Sequence, residues 1–192
     1  EADGLEDADA ARSGADGLRL RRAHMMLSLG RMAEFERDMR VLRPERLPLS
    51  PSQRHFWVQQ QMQPGTSAFH IAFAWRFRGS LDVAALERSL GYLVARHEAL
   101  RTCFPLEGGE PRLHVLAECP LALGRTDLSG EPESYTARAK AFVDEPFDLA
   151  RAPLIRAHLF RLGRDEHVLA LCIHHMVADG WSRGIFMREL AA

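Results

Sequence analysis

The stretch VLALCIHHMVADG, residues 168–180, determines how the surrounding sequence is interpreted. Its first six residues are all apolar, and a continuous apolar run of this length predicts a strand that is buried on both faces. The strand ends in two adjacent histidines, His174 and His175. Because neighbouring side chains on a strand point to opposite faces, only one of them can face a given cavity. The other imidazole must find its contacts inside the fold.

The residues after the two histidines favour a site for chemistry. Asp179 follows at a distance that lets a short loop return its carboxylate, and Gly180 leaves room for a substrate to approach the backbone. Histidine suits proton transfer because its unperturbed pKa lies near neutrality. Two packed, structural histidines at a strand end are the alternative. A metal site is disfavoured, since adjacent histidines rarely point at one ion and no third ligand lies at a suitable spacing.

Hydrophobic periodicity predicts the elements around this strand. Period-two alternation with aromatic residues on one face predicts a strand at 71–77, whereas three- to four-residue spacing predicts helices. The predicted helices cover 52–61, 82–99 with Asp82 as the N-cap, 132–143 and the residues after Gly180. The predicted strand pairs are 101–104 with 112–116 and 154–162 with 167–174. Helices and hairpins in this order indicate an α+β fold with a mixed sheet.

Composition argues against several classes of function. A net charge of −1 and the lack of a basic stripe give no electrostatic case for nucleic acid. No apolar run approaches the roughly 20 residues that span a bilayer. Cys103, Cys119 and Cys172 include no Cys-x-x-Cys pair, which fits a reducing cytoplasm. Each lies in an apolar setting, so we expect small buried hydrophobes without a catalytic role.

The N-terminal residues differ in character from the rest. Residues 1–17 carry six acidic side chains and predict a disordered linker. Residues 18–45 predict an amphipathic helix that either docks on a neighbouring protein or covers the following domain. The globular part then runs over residues 46–192. Because the chain starts without Met and stops in a predicted helix, we expect an excerpt from a longer polypeptide.

Three segments resemble one superfamily of acyltransferases. His-His-x-x-x-Asp-Gly at 174–180 is similar to the signature shared by condensation domains of nonribosomal peptide synthetases, chloramphenicol acetyltransferase-like enzymes and wax-ester synthase-like enzymes. RHEALRTCF at 96–104 matches the condensation-domain pattern Arg-His-Glu-x-Leu-Arg-Thr-x-Phe at every fixed position. LSPSQRHFW at 49–57 resembles the opening motif Ser-x-Ala-Gln-x-Arg-Leu/Met-Trp/Tyr. It departs from that pattern at Ser52, His55 and Phe56.

The order of these motifs, with a further similar stretch at 146–154, identifies residues 46–192 as the N-terminal part of a condensation domain. The resemblance implies a chloramphenicol acetyltransferase-like lobe, the first half of a two-lobed domain. It implies that upstream and downstream peptidyl carrier domains present thioesters on phosphopantetheine arms, and that neighbouring synthetase domains are further partners. The domain itself would bind no cofactor or metal. Without the second lobe, we expect the chain alone to be inactive and prone to associate.

The resemblance also implies residue roles. His175 would face the tunnel beside the attacking amine, and either acts as a general base or positions the amine. His174 and Asp179 would shape the site, and Gly180 would leave room for substrate. A buried Asp179 carboxylate would need a cation, because an unpaired buried charge is costly, and Arg101 is the expected partner.

Other functions share part of this pattern. An epimerisation domain has the same pair of histidines, but residues 179–190 resemble the condensing branch more closely. An O-acyltransferase of the same superfamily is the enzymatic alternative, and a soluble alcohol acceptor would distinguish it. A catalytically silent module that binds carrier proteins is the non-enzymatic alternative.

Overall fold

A computed structural model describes residues 47–190, so the predicted linker and amphipathic helix at 1–45 lie outside the described residues. The helices are α1 (Pro51–Met62), α2 (Val83–Arg96), α3 (Tyr135–Asp144) and α4 (Gly180–Leu190). The strands are β1 (His70–Arg78), β2 (Thr102–Cys103), β3 (Leu106–Glu107), β4 (Glu110–Pro111), β5 (His114–Val115), β6 (Leu123–Asp127), β7 (Ile155–Gly163) and β8 (Glu166–His174). The predicted α+β class is confirmed.

The main sheet has four strands in the order β1-β8-β7-β6. Strand β8 lies between β1 and β7 and is antiparallel to both, while β6 is parallel to β7. Every residue of β8 from Val168 to His174 is buried, as the continuous apolar run predicts. The sheet therefore delivers the two histidines at the end of a fully enclosed central strand.

The two faces of β8 pack against different layers. Leu169 and Leu171 belong to a large apolar cluster that includes Leu90 of α2 and Phe186 of α4. Val168 and Ala170 belong to a smaller cluster, against which residues of α3 pack. This alternation follows from the period of two along a strand. The helices α2 and α4 therefore cover the sheet beside the end of β8.

Local capping sets the starts of the helices near this end. Ser50 caps α1, and its side chain accepts a hydrogen bond from the backbone of Gln53, whose own side chain accepts from the Ser50 backbone. Asp82 caps α2 through the Ala85 amide, as predicted. The helix ends at Arg96, short of the predicted 99, because the next residue is extended and a 3-10 turn follows.

The predicted hairpin between 101 and 116 is present as two nested antiparallel pairs. Strand β2 pairs with β5, and β3 pairs with β4. Gly108 and Gly109 join β3 to β4 with φ values of 60° and 83°, a region that glycine adopts without strain. None of the helices in the described range is long and apolar enough to cross a bilayer.

Candidate active site

His174 is the member of the histidine pair that lies inside the fold. Its side chain is fully buried, and its Nδ1 accepts a hydrogen bond of 3.2 Å from the Met176 amide. Its ring contacts those of His70 and Phe147 at centroid distances of 5.9 and 6.0 Å. Burial, together with the nearby charges of His70 and His175, lowers the pKa of His174 to about 4. His174 is therefore a neutral imidazole that holds the end of β8 in the core.

His175 faces the opposite way, as the strand alternation requires. Its backbone amide donates to the Phe69 carbonyl at 2.8 Å, and its half-buried ring stacks on Phe56 with a centroid distance of 4.6 Å. The side chain lines a cavity of about 450 Å³, formed by residues 50–56 and 175–182. Of the two histidines, His175 is thus the one available to a substrate.

Asp179 immediately precedes α4 and is exposed. Its Oδ1 accepts two hydrogen bonds from Ser182, 2.8 Å from the backbone amide and 2.7 Å from the hydroxyl. These hydrogen bonds lower the pKa of the Asp179 carboxyl. The carboxylate is therefore an N-cap, with local donors and contact with water. The prediction of a buried Asp179 that needs a cation is wrong.

Arg101 does not pair with Asp179 either. Its side chain, 12% exposed, forms an ion pair of 3.5 Å with Glu98 and donates to the carbonyl oxygen of Leu116. Arg101 thereby joins the 3-10 turn after α2 to the end of the hairpin. The predicted pair is absent because Arg101 contacts Glu98 and Leu116, whereas Asp179 accepts its hydrogen bonds from Ser182. The Asp-x-x-Ser spacing at 179–182 is the sequence signal that indicates the cap.

Gly180 is the first residue of α4, and a Cβ atom built there would meet no other atom within 4 Å. Packing among the described residues therefore does not demand glycine at this position. The open space is in keeping with the predicted role of leaving room for a substrate, which stays a prediction.

Sequence reasoning assigned no role to two residues of α1 that contact the histidine segment. Gln53 donates from Nε2 to the Met176 carbonyl at 3.2 Å, and Phe56 provides the ring beneath His175. Both lie in the opening motif at 49–57, which is the signal that could have drawn attention to them. The contact itself joins residues more than a hundred positions apart, so no local pattern encodes it.

The cysteines play no part in this cavity. Cys103 and Cys172 are buried, as predicted, whereas Cys119 is only partly so. Burial raises the pKa of all three thiols, which disfavours the nucleophilic thiolate. Within residues 47–190, no group of three or more His, Cys, Asp or Glu side chains is placed to hold a metal ion.

The sequence and the fold agree with comparisons to known proteins. The family model described as "Condensation domain" matches residues 44–192, and the chain belongs to that family. It is 44% identical to malpibaldin synthetase of Mortierella alpina over 79% of this chain but only 3% of the synthetase. The chain thus spans a small part of the curated relatives that it matches.

Solved structures give the same result. The first condensation domain of the calcium-dependent antibiotic synthetase, in complex with a substrate analogue, is similar at a TM-score of 0.69 and 31% identity, over 77% of this chain and 37% of that one. A chain of the complex of the X-domain and OxyB from teicoplanin biosynthesis has a TM-score of 0.69 and 39% identity, over 78% and 32%. The predicted family and fold are confirmed.

Proposed function

We propose that this chain is the N-terminal part of a condensation domain that forms amide bonds in nonribosomal peptide biosynthesis. The observation that carries the proposal is the division between the two histidines. His174 is sealed in the core, whereas His175 presents its imidazole to a cavity large enough to admit a reacting group. Membership of the condensation-domain family and similarity to a synthetase support the same conclusion.

The proposed reaction joins two carrier-bound substrates. The amine of an aminoacyl thioester on the downstream carrier attacks the thioester carbonyl of the acyl or peptidyl group on the upstream carrier. The C–N bond forms, the C–S bond breaks, the upstream phosphopantetheine thiol leaves, and the amine loses a proton. His175 would take that proton or orient the amine. Holding both tethered reactants in one tunnel would itself supply several kcal/mol through effective molarity, out of about 7–11 in favourable cases.

The proposed partners follow from this chemistry. The two carrier domains supply the phosphopantetheine arms, so the reaction needs no cofactor bound by the domain itself. Neighbouring domains of the same synthetase would load the carrier domains and accept the groups that those carriers present. The setting is the cytoplasm of the producing cell.

The test replaces His175 with alanine in the parent synthetase. With both carriers loaded, we expect the amide product, measured by mass spectrometry, to fall by about 10²–10⁴-fold, the usual contribution of a positioned acid–base group. Carrier binding should not change. The matched control is His114→Ala, because His114 is an exposed histidine in the hairpin that pairs with Glu107. Full turnover by the His175→Ala synthetase would contradict the proposal.

A second candidate is a catalytically silent interaction module. It is favoured by the similarity to a chain of the complex of the X-domain and OxyB, a structure in which a domain assembles with another protein. The same assay separates the two functions. A module of this kind would bind carriers or another protein without forming product, and His175→Ala would leave its binding unchanged.

A further inference from the structure

The His175 imidazole lies against the ring of Phe56 on helix α1. The two ring centroids are 4.6 Å apart, and the ring planes differ by 26°. Phe56 is itself held edge-on by Phe69, at 5.5 Å and 61°. One face of the imidazole is therefore covered by an aromatic ring whose own orientation is fixed.

Few other groups fix the plane of this imidazole. Among the described residues, no side-chain hydrogen bond is made by either ring nitrogen of His175. The hydrogen bond from its backbone amide to Phe69 sets the position of the Cα atom but leaves the side-chain torsions free. The stacked ring of Phe56 is thus an aromatic contact that limits rotation of the imidazole about its side-chain bonds.

Gln53 holds α1 against the same segment, one turn earlier. Its Oε1 accepts from the Ser50 amide at 2.9 Å, and its Nε2 donates to the carbonyl of Met176 at 3.2 Å. A single amide thereby links the first turn of α1 to the residue that follows His175. Met176 is 3% exposed, so this link is anchored in the core. Hydrogen bonds thus hold the backbone on both sides of the contact between Phe56 and His175.

We propose that Phe56 is a positioning residue for His175, and that Gln53 keeps helix α1 in the register that this role requires. The inference rests on the proposed function and adds to it how the imidazole is aimed into the cavity. The orientation of the imidazole matters at such a site, because a misplacement of a catalytic group by about 1 Å can reduce the reaction rate by about 10²-fold. A packing role alone would need only apolar volume at position 56, which leucine supplies.

The test compares Phe56→Leu with Phe56→Tyr in the parent synthetase. The leucine variant keeps an apolar side chain but loses the aromatic face, whereas the tyrosine variant keeps the face. We expect Phe56→Leu to lower kcat about tenfold while KM for the aminoacyl carrier changes less than twofold, and Phe56→Tyr to restore most of kcat. Val58→Ala is the control, because Val58 is an exposed residue of α1 outside the cavity.

A second readout follows the imidazole directly in the 192-residue chain. A ring 4.6 Å from Phe56 should have carbon-bound protons shifted upfield by the aromatic ring current. We expect that shift in the NMR spectrum of the wild type, assigned with His175→Ala, and expect Phe56→Leu to abolish it without unfolding the chain.

Unchanged kcat for Phe56→Leu, or equal losses for the leucine and tyrosine variants, would overturn the positioning role. An unshifted His175 resonance in the wild type would overturn it as well. A parent synthetase that forms no amide, or that does not respond to His175→Ala, would contradict the proposed function instead. The NMR comparison would then still decide whether Phe56 orders the imidazole.

Discussion

At the scale of single residues, two histidines that are adjacent in sequence have opposite environments. His174 occupies the last position of β8 and is fully buried, whereas His175 is half-buried and borders the cavity. His174 is the last residue of β8 and His175 is the first residue of the turn that follows, so the division arises where the strand ends. Its consequence is chemical, because a buried imidazole without a nearby anion is held neutral, while its neighbour remains accessible to substrate.

The buried imidazole of His174 makes stability depend on pH. Its pKa is lowered to about 4 in the folded chain, against 6.5 when exposed, so the unfolded chain binds more protons between these values. The contribution of neutral His174 to the free energy of unfolding is complete above about pH 6.5 and is lost as the pH falls toward 4. The difference corresponds to about 3 kcal/mol of unfolding free energy. Burial also lowers the pKa of His70, which acts in the same direction.

Urea unfolding followed by tryptophan fluorescence at several pH values between 7 and 4 measures this effect. Asparagine at position 174 retains an acceptor for the Met176 amide but does not titrate, so we expect His174→Asn to lose less stability over this interval than the wild type. Both proteins share the carboxylates that protonate in the same range, so the difference between their pH dependences of stability excludes the contribution of those carboxylates. Equal slopes for both would show that His174 does not titrate as the structure implies.

At the scale of elements, the start of α4 depends on Asp179. Both of its hydrogen bonds go to Ser182, the third residue of the helix, which is the arrangement of an N-cap. We expect Asp179→Ala to lower the Tm of the chain by about 3 °C, and Asp179→Asn to have little effect because asparagine caps as well as aspartate. Thermal unfolding followed by circular dichroism measures this.

The exposed Glu118→Ala variant controls for loss of a surface carboxylate. A buried ion pair with Arg101 would give a different result, since asparagine would then be almost as damaging as alanine. Similar losses of Tm for Asp179→Asn and Asp179→Ala would therefore contradict the cap and favour a buried ion pair between Asp179 and Arg101.

Elements with a complete local pattern could be predicted from the sequence. The alternation in β1, the Asp82 cap of α2 and the apolar run of β8 each involve neighbouring residues, and the structure confirms all three. The site was predictable to the same extent. The pair of histidines is visible in the sequence, and strand geometry predicts that their side chains point in opposite directions.

Contacts between distant segments could not be predicted in this way. Strand β6 has only five residues and pairs in parallel with β7, a partner more than 25 positions away. A Cβ at Gly124 would lie 2.4 Å from Nδ1 of His158, a constraint that appears only after the two strands are placed side by side. The stacking of Phe56 on His175 and the failed pairing of Arg101 with Asp179 have the same cause, since each depends on how separate elements meet.

At the scale of the whole molecule, the walls that the described residues give to the cavity beside His175 come from two stretches, residues 50–56 and 175–182. The similar solved condensation domain is longer, and this chain spans 37% of it. Between the cavity-lining residues Asp179 and Ser182, helix α4 carries Trp181, which is 81% exposed. Burying this side chain on association would remove apolar area from water, which is favourable.

We therefore expect the 192-residue chain to fold but not to condense substrates. Incubated with both loaded carriers, it should give no more amide than the carriers alone, because two walls cannot confine two tethered reactants and exclude water. Light scattering should detect self-association that Trp181→Ser reduces, since the serine removes the exposed aromatic surface. Circular dichroism of the same samples establishes that the chain is folded. Amide formation that the chain sustains and His175→Ala abolishes would mean that residues 50–56 and 175–182 already form a complete active site.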